Sequence, residues 1–549
     1  MSKNISHLSG RQGLKNNLFE KIGHLSEHEG TLSQQQKLSL AEEYLVGKAN
    51  ITGTISAYDF AREDNRGKKA FVCNGSACML AGTQDAVRKK LGEHLKEEEI
   101  GNMTCLGRCH ENSAFNYGGT NYSALSDADF NEVMQNKKPK LEDYFVGHNG
   151  LQILTDDFPG LDTFYSTLRE SLAEGPDAVL RKIKNSGVRG RGGAGFSMGF
   201  KLEACKNEAG DEKYIVCNAD EGDPGAYSDR YLLEKQPHLV IFGMIMAGYT
   251  VGANWGIIYT RAEYPESVDI VQNALDQLYD LNILGENIMG SDFSYDLKVI
   301  KGLGAYICGE ETALLNSLEG QRPEVRTRPP YPTQQGLFNK PTVVNNVETL
   351  ATLHYILTHT GKKYATHGTE KSTGTKLVCL DSFFNRPGVY EVEMGTPLRV
   401  VIDDLGGGFK QPVKAMHIGG PLGGLVPLSK IDDLSIDFES FSQEGFLLGH
   451  ASVICIPEDY PLVHYIEHLF EFTSHESCGK CFPCRLGSKR GQEMFNKAQN
   501  EDYKMDRELL DDLIDTMERG SLCALGGGLP LPIKNALHYF ADELKHYFN

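Results

Sequence analysis

No stretch of this sequence approaches the ~20 consecutive apolar residues that a membrane-spanning helix requires. The N-terminal MSKNISHLSG is polar where a secretory leader would carry an apolar core. A cytoplasmic chain without a membrane span is therefore expected. Positive charge is also in short supply: 55 Lys and Arg face 74 Asp and Glu, a formal net charge of −19. That balance argues against nucleic acid or an anionic membrane surface as partner, since either would be repelled. Internal repeats and low-complexity tracts are absent, and 549 residues suffice for about three or four domains with a large core.

Cysteine, by contrast, is abundant, and its spacing carries chemistry. Cys478, Cys481 and Cys484 in ESCGKCFPC are spaced to converge on one iron–sulfur cluster, and Cys523 in SLCALGG offers a fourth thiolate after a helix-like stretch. The competing readings are a structural zinc site and a redox-active dithiol; the immediate third cysteine weighs against the dithiol. A second set, Cys73, Cys78, Cys105 and Cys109, forms two pairs separated by a helix-length segment. Neither pair has the two-residue gap usual in zinc ribbons, so a 2Fe–2S cluster is expected, with zinc or a degenerate site as alternatives. The flanking KKAFVC strand and the cationic amphipathic AVRKKLGEHL have the pattern of a small thioredoxin-like module. Cys205, Cys217, Cys308, Cys379 and Cys455 remain as core or pocket thiols, and no disulfides are expected.

The predicted organisation is multidomain α/β. A polar, helix-prone preface covers residues 1–65, with Leu18, Leu32, Leu38, Leu40 and Leu45 scattered through it; the first cysteine module covers 66–145 and ends in a linker-like QNKKPKLEDY. From 150 to 370, strand-like KYIVCNAD and WGIIYTRAEY alternate with helical ESVDIVQNALDQLYD, which predicts an α/β domain. Residues 375–440 form a small β-rich module that includes GVYEVEMGTPLRVVIDDLGGG, and 445–549 a helical domain around the second cysteine set.

In VRGRGGAGF, Gly190, Gly192 and Gly195 satisfy a GxGxxG spacing, but helical rather than strand periodicity precedes them, so a Rossmann fingerprint is not expected. A different phosphate-cradling loop, with Arg189, Arg191 and Lys201 nearby, competes with a plain glycine turn. Acidic residues in CNADEGDPGAYSDR and GLGAYICGEETALLNSLEG suit hydroxyl and amide groups of a nucleotide rather than its phosphates. Glu310 and Glu311 stand where a helix begins, so capping is the alternative for them. Asn345 and Asn346 in TVVNNVETL supply paired amides, though such pairs also form ordinary turns.

Six segments in order, GVRGRGGAGF, CNADEGDPGAY, GAYICGEETALLNSLEG, NNVETLA, ESCGKCFPCR and SLCALGG, resemble the FMN- and NADH-binding flavoprotein subunit of complex I and of the diaphorase subunits of NAD-dependent formate dehydrogenases and hydrogenases. The likeness spans about residues 150–549, and the first cysteine module resembles the 2Fe–2S subunit that accompanies this flavoprotein, here fused to it. The fold so implied is a thioredoxin-like 2Fe–2S module, an FMN-binding α/β domain, a β-grasp-like module and a helical 4Fe–4S domain. Gly190, Arg191, Gly192, Gly193 and Lys201 would hold FMN, with Asn218, Asp220 and Glu221 lining the flavin. Tyr306, Gly309, Glu310, Glu311, Asn345, Asn346 and Thr349 would complete the pocket, Glu310 and Lys201 being the implied catalytic pair. NADH would stack against Phe196 and Tyr331, with Asp223 and Arg328 among its polar contacts. Complex I carries a longer acid near Asp223 and usually Phe at Tyr331, which leaves NADH against NADPH open.

The implied cofactors are FMN, one 4Fe–4S and one 2Fe–2S cluster, with NAD(H) as substrate. FMN would convert between two-electron hydride transfer and the single electrons that clusters accept. The implied partners are other iron–sulfur subunits and a catalytic subunit of hydrogenase or formate dehydrogenase type. Alternatives are a complex I or electron-bifurcating subunit, a free-standing NADH:acceptor oxidoreductase, and a docking scaffold.

Overall fold

The computed structural model of the chain describes residues 13–29, 31–137 and 144–549; the start of the helical preface and most of the 135–144 linker lie outside the described residues. Helices Leu18–Glu29, Gln34–Glu43 and Lys48–Ile55 come first. Their leucines divide by face: Leu18, Leu32 and Leu40 are buried, Leu38 and Leu45 exposed. The buried set shares an apolar cluster with Tyr214, Val216, Ile257, Tyr259 and Leu318, so these helices wall one face of the α/β domain. Asp59 N–H donates to Gly304 O at 2.8 Å and Phe60 N–H to Leu303 O at 3.1 Å, fastening the wall.

Strands β1 (Ala70–Cys73), β2 (Ile100–Met103), β3 (Phe115–Tyr117) and β4 (Thr120–Tyr122) form a sheet in the order β2-β1-β3-β4. Strand β1 runs parallel to β2 and antiparallel to β3, and helices Gln84–Gly92 and Asp127–Met134 cover the sheet through Val87, Leu91, Phe130 and Val133. This is the expected thioredoxin-like module.

After β5 (Phe145–Asn149), the strands β6 (Tyr214–Ala219), β7 (Trp255–Thr260), β8 (Asp296–Lys301) and β9 (Thr342–Asn346) form a wholly parallel sheet in the order β8-β7-β6-β9. Apolar strands covered on both faces explain the near-continuous YIVC and GIIY runs. The helix Pro237–Val251 is buried almost throughout and packs on the segment Val347–Ala351, where a Cβ on Gly243 would lie 2.2 Å from Leu350 O. Gly243→Ala must push that segment away, and a destabilisation of about 1–3 kcal/mol is expected. A melting temperature equal to that of the unaltered protein would show that the two elements separate freely.

Strands β10 (Thr375–Leu380), β11 (Gly388–Glu393), β12 (Val413–Ile418), β13 (Gly424–Pro427) and β14 (Ser452–Pro457) join β5 in the order β13-β12-β14-β10-β11-β5. Without β5 this is the strand order of a β-grasp roll. The sheet therefore draws strands from both sides of 375–440, because β14 inserts between β12 and β10 while β5 pairs with β11. Within the β-rich stretch, Val400–Leu405 is helical. Helices Leu462–Glu476, Phe482–Asn500, Arg507–Gly520 and Pro530–Tyr539 complete the chain.

Candidate functional site

Chain order locates the main crevice. From β6 the chain proceeds outward to β7 and β8, then returns to set β9 on the opposite flank of β6. Ligands of parallel α/β sheets bind at such a reversal, outside the carboxyl ends of the strands. Here β6 and β9 pair Cys217 with Asn345 and Asn218 with Asn346. The loop 190–195 lies over this end: Gly190 N–H donates to Phe196 O at 2.8 Å, and a Cβ on Gly192 would approach Asn346 Cβ to 3.0 Å. Gly193 and Gly195 have φ of +113° and +59°, which disfavour other residues. The loop joins helix Pro176–Ser186 to helix Met198–Asn207, so the strand–turn–helix of a Rossmann fingerprint is absent, as expected.

Arg191 is fully buried. Its N–H donates to Thr349 Oγ1 at 2.8 Å, while Nη2 donates to Thr373 O at 2.5 Å and Tyr364 OH at 3.2 Å. Its Nε and Nη1, and the Nδ2 of buried Asn345, have no partner among the described residues. Buried donors left without acceptors cost about 1–3 kcal/mol each. Glycine backbone amides together with these donors suit an anionic phosphate and the polar edge of a planar ring, so the residues fit FMN. Lys201 Nζ donates to Val344 O at 2.5 Å and stands 3.6 Å from Glu311.

The opposite wall is built from the segment after β8. Asn218 Nδ2 donates to Gly309 O at 2.8 Å. Glu310 Oε2 accepts from the N–H groups of Thr312 and Ala313, both at 2.9 Å, so this side chain does cap helix Glu311–Leu318. Its other oxygen pairs with Arg328, which also lies 3.2 Å from Glu311. Tyr306 OH donates to Asp223 Oδ1 at 2.7 Å. Phe196 and Tyr331 are 52% and 54% exposed, rings free to meet a planar ligand. Burial holds the Asp220 carboxyl well above the usual range, with Oδ2 unpartnered, and raises Asp223 as well. Glu221 points elsewhere. Its carboxylate accepts from the N–H groups of Asp229 and Arg230, at 2.9 and 3.1 Å, and from Tyr264 OH at 3.1 Å. Burial and the neighbouring Asp229 push it up to about 7.

The two cysteine sets close into separate pockets. Cys73, Cys78, Cys105 and Cys109 are all buried, with the Cys105 and Cys109 sulfurs 3.6 Å apart. The hydrogen bond from Cys109, aided by the Arg261 charge, carries the Cys105 thiol down to about 6. Arg261 Nη2 also donates to Cys105 O at 2.7 Å. Gly225 N–H donates to Cys109 Sγ at 3.2 Å, so the loop that leaves β6 at the crevice runs directly onto this pocket. In the other set, Cys478, Cys481 and Cys523 pack around buried Cys484 with Ile307, Phe472 and Leu525. Burial pushes Cys484 up to about 11 and Cys523 to about 12, an environment that calls for a cation to hold the thiolates. Tyr306 N–H donates to Glu476 Oε2 at 2.9 Å, linking crevice and second cysteine pocket. None of the thirteen cysteines is joined in a disulfide.

Arg261, Tyr264, Asp229, His450, Glu476 and Tyr364 are absent from the sequence-derived site. Of these, Asp229 stands within the acidic motif CNADEGDPGAYSDR and Glu476 two residues before Cys478; the others had no local signal.

Three domain families match the sequence: a thioredoxin-like [2Fe–2S] ferredoxin over 6–138, the Nuo51 FMN-binding domain over 183–355, and the NADH-ubiquinone oxidoreductase-F iron–sulfur binding region over 464–547. The NADP-reducing hydrogenase subunit HndC of Solidesulfovibrio fructosivorans is 41% identical over 69% of this chain and 78% of its own. An F-type subunit of the NADH-quinone oxidoreductase of Rhizobium meliloti is 38% identical over 69% of this chain and 91% of its own. A crystal structure of NAD+-reducing [NiFe]-hydrogenase in the H2-reduced state superposes with a TM-score of 0.85 at 28% identity, covering 96% of this chain and 92% of that one. These matches bear out iron–sulfur over zinc at both cysteine sets. Among the described residues no helix is long and apolar enough to cross a membrane. With relatives this similar over two thirds of the chain, the protein belongs to the Nuo51-type FMN-binding flavoprotein family of diaphorase-type NAD(P)H-dependent oxidoreductase subunits, joined here to a thioredoxin-like 2Fe–2S module.

Proposed function

We propose that this chain is the NADH-oxidising subunit of a soluble, cytoplasmic hydrogenase- or formate-dehydrogenase-type complex. The observation that carries the reading is the convergence, at the β6/β9 reversal, of the 190–195 loop, the unpartnered donors of Arg191 and Asn345, and exposed Phe196 and Tyr331, between two cysteine pockets. When bound, FMN supplies the exchange between two-electron nicotinamide chemistry and one-electron cluster chemistry. The chain's own residues hold and orient. Gly192 and Gly193 offer backbone amides to phosphate, while Gly190 closes the loop on Phe196 O; Arg191 and Lys201 supply charge; Asn218, Asp220, Asn345 and Asn346 meet the polar parts of the flavin. Phe196 and Tyr331 flank the nicotinamide, and Arg328 is kept in register by Glu310 and Glu311.

A hydrogenase-type assembly is favoured because the structural match to the NAD+-reducing hydrogenase includes the N-terminal module, spanning 96% of the chain. Exposed Phe482, Leu486 and Leu522 neighbour Cys481, Cys484 and Cys523 in the chain, which supports a partner chain docking there to take up electrons. NADH should bleach the flavin of anaerobically purified protein, and full reduction should reveal both cluster signals; flavin that NADH cannot reduce would overturn the reading. Glu310→Gln is expected to slow NADH oxidation roughly tenfold to a hundredfold, the range of one lost charged hydrogen bond. Iron and FMN contents should hold. Unchanged kinetics would reduce Glu310 to a helix cap.

A further inference from the structure

Behind the 190–195 loop lies a buried ionic triad that no cofactor contact explains. Glu221, Asp229 and His450 are each at least nine-tenths buried, and their polar atoms approach within 4.8 Å of one another. His450 Nε2 stands 3.3 Å from Asp229 Oδ2, and its Nδ1 3.4 Å from Ser228 Oγ and 3.8 Å from Glu221 Oε1. The same Asp229 Oδ2 accepts from Asn346 Nδ2 at 2.6 Å. Asn346 Oδ1 in turn accepts from Thr349 N–H at 3.3 Å, and Thr349 Oγ1 accepts from Arg191 N–H at 2.8 Å. A continuous hydrogen-bonded chain thus runs from His450 to the backbone of the loop. The backbone beside His450 reaches the loop as well: a Cβ on Gly193 would lie 3.6 Å from Gly449 Cα.

We propose that His450 is a positioning residue for the flavin site, holding Asp229, and through it Asn346 and the 190–195 loop, in the geometry that binds FMN. The inference rests on the proposed role of that loop.

Two buried carboxylates facing each other repel, and an imidazolium between them offsets that repulsion. Burial alone would lower the His450 imidazole, but the Asp229 and Glu221 charges outweigh it and carry it up to about 9. Lys376 opposes this charge but is engaged by buried Glu348, and Asp223 also faces the triad. His450 is therefore charged through the neutral range. Without it, Asp229 and Glu221 must share a proton or move apart, and the Asp229–Asn346 bond is the contact that moves.

The test is a titration of the flavin-stripped full-length protein with FMN, followed by flavin fluorescence, between about pH 6 and about pH 10. His450→Gln is expected to weaken FMN binding roughly tenfold to a hundredfold near about pH 8, the size outer-shell partners commonly carry. The deficit should shrink toward about pH 6 as the carboxylates take up protons. Adding Asp229→Asn to that variant removes one of the facing charges and should restore most of the affinity, with iron content unchanged throughout. Should His450→Gln not fold, the unaltered protein still decides: its FMN affinity should fall as pH rises through about 9, and a flat profile overturns the proposal. The proposal also fails if His450→Gln binds like the unaltered protein, or if its loss is independent of pH and unrelieved by Asp229→Asn, as a steric role would give. An unaltered protein that does not bind FMN would bring down the flavin-site reading itself.

Discussion

Alanine at Cys481 is expected to erase the 4Fe–4S signal from the electron paramagnetic resonance spectrum of fully reduced protein, leaving FMN and the 2Fe–2S signal in place. Cys481 precedes the first turn of helix Phe482–Asn500 and packs with Cys478 and Cys523 around Cys484. Alanine keeps the Cβ and the helix start but removes a ligand from a closed set, and no fifth cysteine joins that cluster. None of the 2Fe–2S cysteines shares that apolar cluster, Cys73 and Cys78 lying in one other and Cys105 and Cys109 in the main core, and the proposed FMN donors Arg191 and Asn345 belong to the loop 190–195 and to β9. Iron content should drop by the four irons of the one cluster. Persistence of its signal would show that the ligand set is wrong; loss of flavin as well would show that the helical domain is needed to shape the crevice.

The second large effect is expected at Arg191. Methionine there fills a similar volume without charge or donors, and the purified protein should retain almost no FMN while keeping its iron. Only one of the guanidinium's three nitrogens already serves a structural purpose: Nη2 ties Thr373 and Tyr364, whereas Nε and Nη1 are buried without acceptors among the described residues. A charge kept dry with spare donors is explained by an anion that completes it. Thermal unfolding separates the two duties. If Arg191→Met lowers the melting temperature of flavin-stripped protein yet still retains FMN at the level of the unaltered chain, Arg191 is a strut and not a phosphate contact.

What was legible in the sequence was legible because it is local. Thiol spacing in ESCGKCFPC and in the paired set is dictated by the size of the cluster each must surround, so the candidate ligands stand out without a fold. The glycines of VRGRGGAGF betray a backbone that bends where side chains cannot, and Gly193 and Gly195 occupy that conformation. Glu310 could be read as a helix cap from its place before TALLNSLEG, and it is one, with Arg328 on its second oxygen. Adjacent acids were harder to separate. Asp220 and Glu221 look equivalent in CNADEGDPG, yet just beyond the end of β6 at Ala219 their carboxyl groups meet different surroundings. Asp220 keeps an unpartnered oxygen near Tyr306 and Glu476, while Glu221 caps the helix that starts at Ser228.

The β-grasp-like module shows the same limit on a larger scale. Its residues 388–408 read as strands and glycines, but the membership of β14 and β5 depends on which edges pair, and pairing is decided by burial of faces contributed from distant segments. Likewise the N-terminal leucines gave no hint that they close one face of the parallel sheet.

By itself, then, the sequence determined the two cysteine sets, the glycine loop, the helix cap and the family, since each is carried by short motifs readable without a fold. Only the tertiary structure decided that the loop after β6 joins crevice to 2Fe–2S pocket through Gly225 and Cys109, 116 residues apart, and that His450 meets Asp229 across 221 residues. Those contacts exist because the order of strands reverses at β6 and the loop that leaves β6 packs against β14 of the second sheet, and no local pattern of residues records where a distant backbone will come to rest.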